Sequence, residues 1–460
     1  MFSNKAIRQY LRVYAEPQAS AVSEQLLRLL PGTTWENVVL IPVCGEDASD
    51  FDRIFHSSHA QSGAVLAIVC LNRPDSHPRG QEWLVLNTRW LQARIQTARY
   101  VHWLSDSACF LSGGGLPDCL VVLRMGLSNG ADGHNQPIPA RQGVGLARKL
   151  IADVALSLMD AGAVRQPWLF STDADARLPA DYFMAPQRLP ESAAAISLPF
   201  IHCAESHHVT HRLRLAQRLY DARLFLYRRG IALVNPQYAW VPLGSALVIS
   251  ALAYARVRGF PRRNAGEDFY LLNKVAKTGK IHGLHSVAAH GSSLPVVQLR
   301  IRMSDRVPFG TGPAVRAIAG LEEPVNDYRF YHPELFMQLA RWRERVLERL
   351  RDVPGLGSTG PIPEVDHCLT AALGVSAFFK RLDIQRTGYA QRLRQWDEWL
   401  DAFRLLKAVH ALEALYRPLT VSQLRDNNYF REHFSTDLMV TKAFHDLWPI
   451  ARDSAGASMP

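Results

Sequence analysis

Short apolar runs alternate with amphipathic stretches over roughly the first 300 residues of this chain. The clearest runs lie at residues 38–43, 64–71 and 120–124. After these runs, residues 144–161 repeat apolar side chains at helical spacing. This alternation predicts an α/β fold in which helices cover both faces of a mainly parallel sheet.

The pattern changes after about residue 325, where strand-like runs stop and long helical stretches begin. Residues 334–351 and 389–416 each predict a helical stretch, and the Gly- and Pro-rich residues 354–363 predict a loop. We therefore predict an N-terminal helical segment at 1–35, an α/β domain at 36–324 and a helical C-terminal region at 325–460.

The composition is basic, with a formal net charge of +10 in 460 residues. An excess of arginine favours anionic partners, which include nucleic acid, anionic lipid and phosphorylated small molecules. The six cysteines form no CxxC pair, so we expect free thiols in a reducing compartment. No signal peptide or membrane-spanning run is evident. We expect a cytoplasmic protein, with peripheral contact at the inner face of a membrane left open.

Two acids follow a short apolar strand at residues 168–170. Asp173 and Asp175 come directly after that strand, which places them at its carboxyl end, where ligands bind in open α/β sheets. Paired carboxylates of this kind suit a hard divalent cation that also holds substrate phosphates. A solvated acidic turn would contain the same two aspartates, so this motif alone is weak evidence for a metal site.

A second acidic pair, Glu267 and Asp268, opens a predicted helix. Acids at a helix N-terminus are stabilised by the helix dipole, so a structural cap is a fair alternative. The order of the elements favours a functional role: a strand with two acids, then Gly244-Ser245, then the second acidic pair.

This order resembles the GT-A fold of glycosyltransferase family 2, over roughly residues 36 to 300. Residues 41–47 (Ile-Pro-Val-Cys-Gly-Glu-Asp) resemble the family's first strand and nucleotide-contacting loop, with Cys-Gly in place of the usual Tyr-Asn. Residues 143–148 resemble the segment that carries an arginine near the donor. Asp173-Ala174-Asp175 matches the metal and diphosphate motif, and Gly266-Glu267-Asp268 matches the motif that carries the catalytic base.

The resemblance implies a glycosyltransferase that uses Mn²⁺ or Mg²⁺ and a nucleotide-diphosphate sugar of unknown base. It implies inversion with Asp268 as the general base and Glu267 beside it, although retaining enzymes share the fold and the metal motif. The acceptor would be a saccharide, a lipid-linked molecule or a small molecule, with no nucleic acid.

The remaining site residues follow from the same resemblance. The implied donor-binding residues are Pro42, Val43, Glu46, Asn72, Arg148 and Asp173. The implied metal ligands are Asp175, Asp173 and His290, with His282 and His285 as alternatives for the third ligand. The implied acceptor-binding residues are Gly244 and Ser245.

Two other functions remain as alternatives. A nucleotidyltransferase also uses paired carboxylates on an α/β sheet, but a glycine-rich basic loop after the first strand is missing at residues 45–47. A basic scaffold or nucleic-acid-binding protein would explain the charge, but no nucleic-acid-binding motif is present. The arginine-rich residues 211–229 are either an acceptor-facing stretch or a solvated helix. Residues 302–312 are either a loop that closes over a diphosphate or a simple connector.

Overall fold

The computed structural model describes residues 4–55, 64–126, 134–204, 209–283, 294–351, 363–385 and 387–451. The chain forms two compact units. The first consists of Met1–His207 and Pro242–Pro313, and the second of His208–Val241 and Ala314–Pro460. The limits predicted at residues 35 and 324 remain predictions; in the structure, the second unit also includes residues that the sequence analysis placed in the α/β domain.

The first unit contains two sheets. The strands in chain order are β1 (Asn37–Val43), β2 (Val65–Asn72), β3 (Tyr100–Ser105), β4 (Ala108–Ser112), β5 (Asp118–Arg124), β6 (Trp168–Ser171), β7 (Ala176–Arg177), β8 (Ala193–Ser197), β9 (Phe200–Cys203), β10 (Leu247–Ser250), β11 (Lys280–His282) and β12 (Val297–Arg300).

The larger sheet has the strand order β11-β8-β10-β6-β1-β2-β5-β4-β3 within the described residues. Strands β5, β2, β1 and β6 pair in parallel, whereas β10 runs antiparallel to both of its neighbours. Every residue of β2 is buried, as expected for a parallel strand covered on both faces. The structure confirms the predicted α/β class. The described sheet is mixed and not mainly parallel as predicted, because four of its strand pairings are parallel and four are antiparallel.

The smaller sheet has the order β7-β12-β9. β7 begins directly after Asp175, and β12 pairs with it antiparallel, with Leu299 opposite Ala176. This register brings the chain that follows β12 alongside Asp175.

Helices of the first unit complete the α/β arrangement. They are α1 (Lys5–Val13), α2 (Pro17–Leu29), α3 (Ala48–Ile54), α4 (Gly80–Thr97), α5 (Gly143–Asp160), α7 (Ala251–Arg256), α8 (Glu267–Ala276) and the first residues of α9 (Thr311–Ala319). The Tyr10 hydroxyl of α1 donates a 2.5 Å hydrogen bond to Asp153 of α5 and accepts one of 2.6 Å from Lys149. The predicted N-terminal helical segment is therefore anchored on α5.

The second unit is helical, which confirms the predicted C-terminal helical region. Its helices are α6 (His211–Val234), α10 (Pro324–Asp327), α11 (Pro333–Arg351), α12 (Glu364–Leu373), α13 (Val375–Gln385), α14 (Tyr389–Trp399), α15 (Ala402–Leu412), α16 (Val421–Asp426) and α17 (Leu438–His445), with the end of α9. The single stretch predicted at 389–416 is two helices, because the Asp401 side chain caps α15 at the Arg404 N–H. Most of the predicted loop at 354–363 lies outside the described residues.

The arginine-rich stretch predicted at 211–229 forms most of α6. Arg228 donates a 2.6 Å hydrogen bond to Asp437, and Arg229 donates one of 2.9 Å to the His433 carbonyl. The Arg223 guanidinium lies 4.4 Å from the centre of the Tyr331 ring. These contacts stabilise the second unit, so these three arginines have structural partners.

None of the described helices is both long enough and apolar enough to cross a bilayer. All six cysteines are free thiols, and Cys70, Cys109 and Cys119 are buried. The cytoplasmic location and the peripheral membrane contact remain predictions.

Candidate functional site

Arg148 of α5 joins the two acidic motifs. Its Nε donates a 2.9 Å hydrogen bond to Glu267 Oε1 at the start of α8, and its Nη2 pairs with Asp173 Oδ1 after β6. Its Nη1 also donates to the Ser171 hydroxyl at 2.8 Å. The two motifs predicted from separate parts of the sequence therefore meet at one guanidinium.

The Arg148 side chain is only 4% exposed, so it is held almost entirely away from water. Burial lowers the pKa of Arg148, but the neighbouring Asp173 and Glu267 raise it above its ordinary value. A buried guanidinium needs such partners, because an unpaired buried charge costs several kcal/mol. Arg148 thus acts as a permanent cation at the centre of the site.

Gly244 and Ser245 support this arrangement from the turn before β10. The Gly244 N–H donates a 2.9 Å hydrogen bond to Asp268 Oδ2, and the Gly244 carbonyl accepts one of 2.8 Å from Ser171. A Cβ at Gly244 would lie 2.7 Å from Arg148 Nη2, so a larger residue there would displace the guanidinium. The Ser245 carbonyl accepts a hydrogen bond from Thr172 at 3.1 Å. Both residues are buried, and their acceptor-binding role remains a prediction.

Asp268 and Glu267 differ in their exposure. Glu267 is buried, and loss of hydration together with the neighbouring Asp268 raises its pKa despite Arg148. Asp268 is half-buried. Loss of hydration raises the pKa of Asp268, although the N–H groups of Phe269 and Gly244 act in the opposite direction. A partly exposed carboxylate with a raised pKa is suited to accept a proton from a substrate.

The loop after β1 lies on the same edge of the sheet. Pro42 and Val43 are buried strand residues, whereas Glu46 lies in the loop that follows. Asn72, at the end of β2, uses its amide nitrogen to donate to the carbonyls of Val43 and Cys70 at 2.9 and 3.1 Å. Asn72 therefore joins the two strand ends, and donor binding by these four residues remains a prediction.

Gly45 replaces the asparagine of the resembled motif, and the structure gives a reason. Its φ is +75°, and a Cβ would lie 2.4 Å from Trp83 Cδ1. The Gly45 N–H donates a 2.8 Å hydrogen bond to Asn87, which also donates to the Asn72 carbonyl at 2.9 Å. Trp83 and Asn87 of α4 are not predicted from the sequence, because both look like ordinary helix residues.

The chain after β12 adds two more cations. Arg302 Nε pairs with Asp175 Oδ2, and Arg306 Nη1 pairs with Glu46 Oε1. Arg302 Nη2 also lies 3.7 Å from Glu46 Oε1. Residues 302–312 are predicted from the sequence as a loop or connector, but these two arginines are not predicted individually. The sequence pattern that could have indicated them is the close spacing of arginines 300, 302 and 306 at the end of a strand and just after it.

The predicted metal site is not assembled by the described residues. Asp175 is paired with Arg302 and Asp173 with Arg148, and no group of three metal-ligating side chains is found in the described parts of the chain. His290 and His285 lie outside the described residues. His282 is buried on β11, with neither ring nitrogen hydrogen-bonded, and burial lowers its pKa. In the described residues both acids are therefore paired with arginines, and binding of Mn²⁺ or Mg²⁺ remains a prediction.

Comparison with known proteins gives several distant structural matches. No protein-family profile matches the chain, and no curated protein matches its sequence. Among solved structures, S. aureus TarS 1-349 in complex with UDP-GlcNAc matches 91% of this chain and 92% of its own, at 9% identity and a TM-score of 0.33. The same protein with UDP matches 83% of this chain and 91% of its own, at 9% identity and a TM-score of 0.33.

GalNAc-T7 with UDP, GalNAc and Mn²⁺ matches 73% of this chain and 54% of its own, at 10% identity and a TM-score of 0.29. At these TM-scores the likeness is too distant to assign this chain a fold family or an activity.

Proposed function

We propose that this chain is a GT-A-type glycosyltransferase of the family 2 kind, which moves a sugar from a nucleotide-diphosphate donor to an acceptor hydroxyl. The proposal rests on the single guanidinium of Arg148, which holds Asp173 and Glu267 together. An isolated acidic turn or helix cap would need no such connection across more than a hundred residues.

The acids at this edge have different roles in the proposal. Asp173 and Asp175 follow β6 and serve the donor in this proposal, and Asp268 at the start of α8 is close enough to Asp173 for its charge to raise the pKa of Asp268. Asp268 is the half-buried carboxylate, and it accepts the proton of the acceptor hydroxyl as that oxygen attacks the anomeric carbon. Attack from the face opposite the leaving nucleoside diphosphate gives inversion.

Arg148 and Glu267 hold this machinery in place. Arg148 fixes the Asp173 carboxylate, and the Gly244 N–H fixes Asp268 Oδ2. Asp268 Oδ1 accepts a 2.7 Å hydrogen bond from the N–H of Phe269. A carboxylate oriented by two backbone N–H groups needs little reorganisation before it takes a proton. Glu267 is buried against Arg148, so its role is to position that arginine and, through it, Asp173.

A divalent cation is not part of this mechanism. The sequence predicts Mn²⁺ or Mg²⁺ at Asp175, but that carboxylate is paired with Arg302 in the structure. The proposal therefore assigns proton transfer and orientation to the residues of the chain, and metal dependence is left to the experiment.

A thermal-shift panel tests the proposal. The protein is heated with UDP, GDP, CDP, ADP or dTDP, each in EDTA and in Mn²⁺. A ligand present at about 100 times its Kd stabilises the folded state by roughly 2.7 kcal/mol, which raises Tm measurably. Stabilisation by one nucleotide supports a donor site and identifies the base. If no nucleotide stabilises the protein in either buffer, the transferase proposal fails and a scaffold role becomes the better account.

A further inference from the structure

Three arginines follow one another closely at the end of β12 and beyond it. Arg300 contacts Asp50 through two nitrogens, at 2.7 and 3.2 Å. Arg302 and Arg306 contact Asp175 and Glu46. In extended backbone, residues two apart lie on the same face, which explains why Arg300 and Arg302 both meet acids.

The segment that carries Arg302 and Arg306 is held at further points. Asp305 accepts a 2.9 Å hydrogen bond from Arg79 at the start of α4. Arg306 Nη2 also lies 3.3 Å from the Gly45 carbonyl, in the loop after β1. A Cβ at Gly266 would lie 3.2 Å from the Phe309 ring, just before the helix that carries Asp268. The segment thus contacts the loop after β1, the first acidic motif and the approach to the second.

Arg302 and Arg306 keep donors available for another partner. A guanidinium carries five N–H donors. Arg302 uses Nε on Asp175 and has Nη2 3.7 Å from Glu46. Arg306 uses Nη1 on Glu46 and Nη2 on the Gly45 carbonyl, so each arginine keeps further N–H donors. The two side chains are 29% and 20% exposed, whereas the Asp175 and Glu46 side chains are only 9% and 7% exposed. The acids therefore lie beneath, and the cations are the groups that a ligand can reach.

We propose that Arg302 and Arg306 bind the diphosphate of the donor, and that Asp175 and Glu46 position these two arginines. The inference rests on the glycosyltransferase function proposed above. Planar guanidinium groups bind phosphate oxygens through paired N–H donors, and binding is strongest where the side chain is already fixed. Asp175 is then a positioning residue for an arginine and not a metal ligand.

Charge supports this assignment. Without their arginines, Asp175 and Glu46 would be two buried carboxylates that repel a diphosphate. With them, each acid is neutralised and the reachable groups are cationic. A divalent cation at Asp175 would first have to displace Arg302, which forms a charge-assisted contact there. The arginines supply the positive charge at the position where the sequence predicts a metal.

The test is a binding measurement by calorimetry in EDTA, with the nucleoside diphosphate that gives the largest thermal shift in the five-nucleotide panel. We expect the parent protein to bind, and Arg302→Gln and Arg306→Gln each to weaken affinity by roughly 10- to 100-fold. Arg302→Lys keeps the charge but loses the planar fork, so we expect an intermediate affinity. Arg8→Gln removes an exposed arginine of α1 and serves as the matched control, with unchanged affinity.

A double mutant separates positioning from metal binding. If Asp175 acts through Arg302, Asp175→Asn weakens binding in EDTA, and it adds little when Arg302 is already glutamine. A purely structural role for Asp175 would lower Tm without this coupling. Melting curves of all variants without nucleotide report whether each one folds.

The outcomes distinguish the two proposals. Binding that requires Mn²⁺, is lost in Asp175→Asn and is kept in Arg302→Gln would overturn the arginine assignment and leave the transferase function standing. Absence of nucleotide binding with and without Mn²⁺ would overturn both.

Discussion

Two sets of arginines serve the acids of the first unit in different ways. Arg148 is 4% exposed and divides its donors among Glu267, Asp173 and Ser171. Arg302 and Arg306, which we call the segment arginines, are 29% and 20% exposed and each has its closest contact with one acid. The comparison teaches that residue type alone does not separate a structural cation from one that we propose to bind a ligand. What separates them is the number of N–H donors already used by protein partners and the exposure of the side chain to solvent.

The largest expected effect concerns Asp268, which neither set of arginines contacts. Asp268→Asn keeps the acceptor for a backbone N–H but removes the base, so turnover should fall by about 10² to 10⁴ while nucleotide affinity is retained. In the parent, turnover should rise with pH as Asp268 loses its proton, through a pKa above the ordinary aspartate value. Sugar transfer or donor hydrolysis measures this, with Asp106→Asn in the exposed turn after β3 as the control. An unchanged rate would remove Asp268 from the mechanism.

Arg148→Ala should have the next largest effect, and it acts on folding. The substitution leaves the buried Glu267 without its cation, and breaking a buried ion pair in this way costs about 3 to 5 kcal/mol. Urea denaturation measures the loss, and Arg8→Ala should change stability by less than about 0.5 kcal/mol. Equal stability of the two variants would contradict the structural role assigned to Arg148.

A smaller effect should appear in the pH dependence of stability. The folded-state pKa of Glu267 is raised, chiefly by burial, so the folded protein holds its proton more tightly than the unfolded chain does. Stability therefore falls as pH rises from the ordinary glutamate value through the raised one. As the pH rises from about 5 to about 8, the free energy of unfolding of Glu267→Gln should increase relative to that of the parent by about 1 kcal/mol or more.

Denaturation at several pH values measures this difference, with exposed Glu24→Gln of α2 as the control. A constant difference across the pH range would show that Glu267 is not the group that titrates.

A similarly small effect should come from Arg302→Gln on stability without ligand. Arg302 is 29% exposed and Asp175 9%, so the free energy of unfolding should change by about 1 to 2 kcal/mol, less than for the more deeply buried Arg148 pair. The contrast with Arg148→Ala is the point of the measurement. A loss as large as that of Arg148→Ala would make Arg302 a structural residue and remove the distinction between the two sets.

The sequence predicts the parts of the molecule that have local patterns. The apolar run at 38–43 lies within β1, and all but one residue of the run at 64–71 lies within β2. The helix predicted at 144–161 corresponds to α5. Asp173 and Glu267, predicted as parts of one site, do meet through Arg148. Asp173 follows the parallel strand β6, whose carboxyl end lies at the edge where ligands bind, whereas Glu267 follows the antiparallel strand β10 and meets Asp173 only through Arg148.

Long-range contacts explain what the sequence does not predict. Arg306 and Glu46 lie 260 positions apart, and no local pattern links them. The antiparallel register of β7 and β12 brings Arg302 to Asp175, and β7 is only two residues long. The break between α14 and α15 was missed because one capping aspartate, Asp401, decides it. Each of these depends on single contacts and not on a repeated pattern.

The structure of the protein with its stabilising nucleoside diphosphate bound tests the central claim most directly. Our account predicts the diphosphate oxygens within hydrogen-bond distance of Arg302 and Arg306, with Asp268 facing the position of the transferred sugar. A nucleotide bound elsewhere, or a diphosphate that contacts neither arginine while Arg302 stays on Asp175, would contradict it.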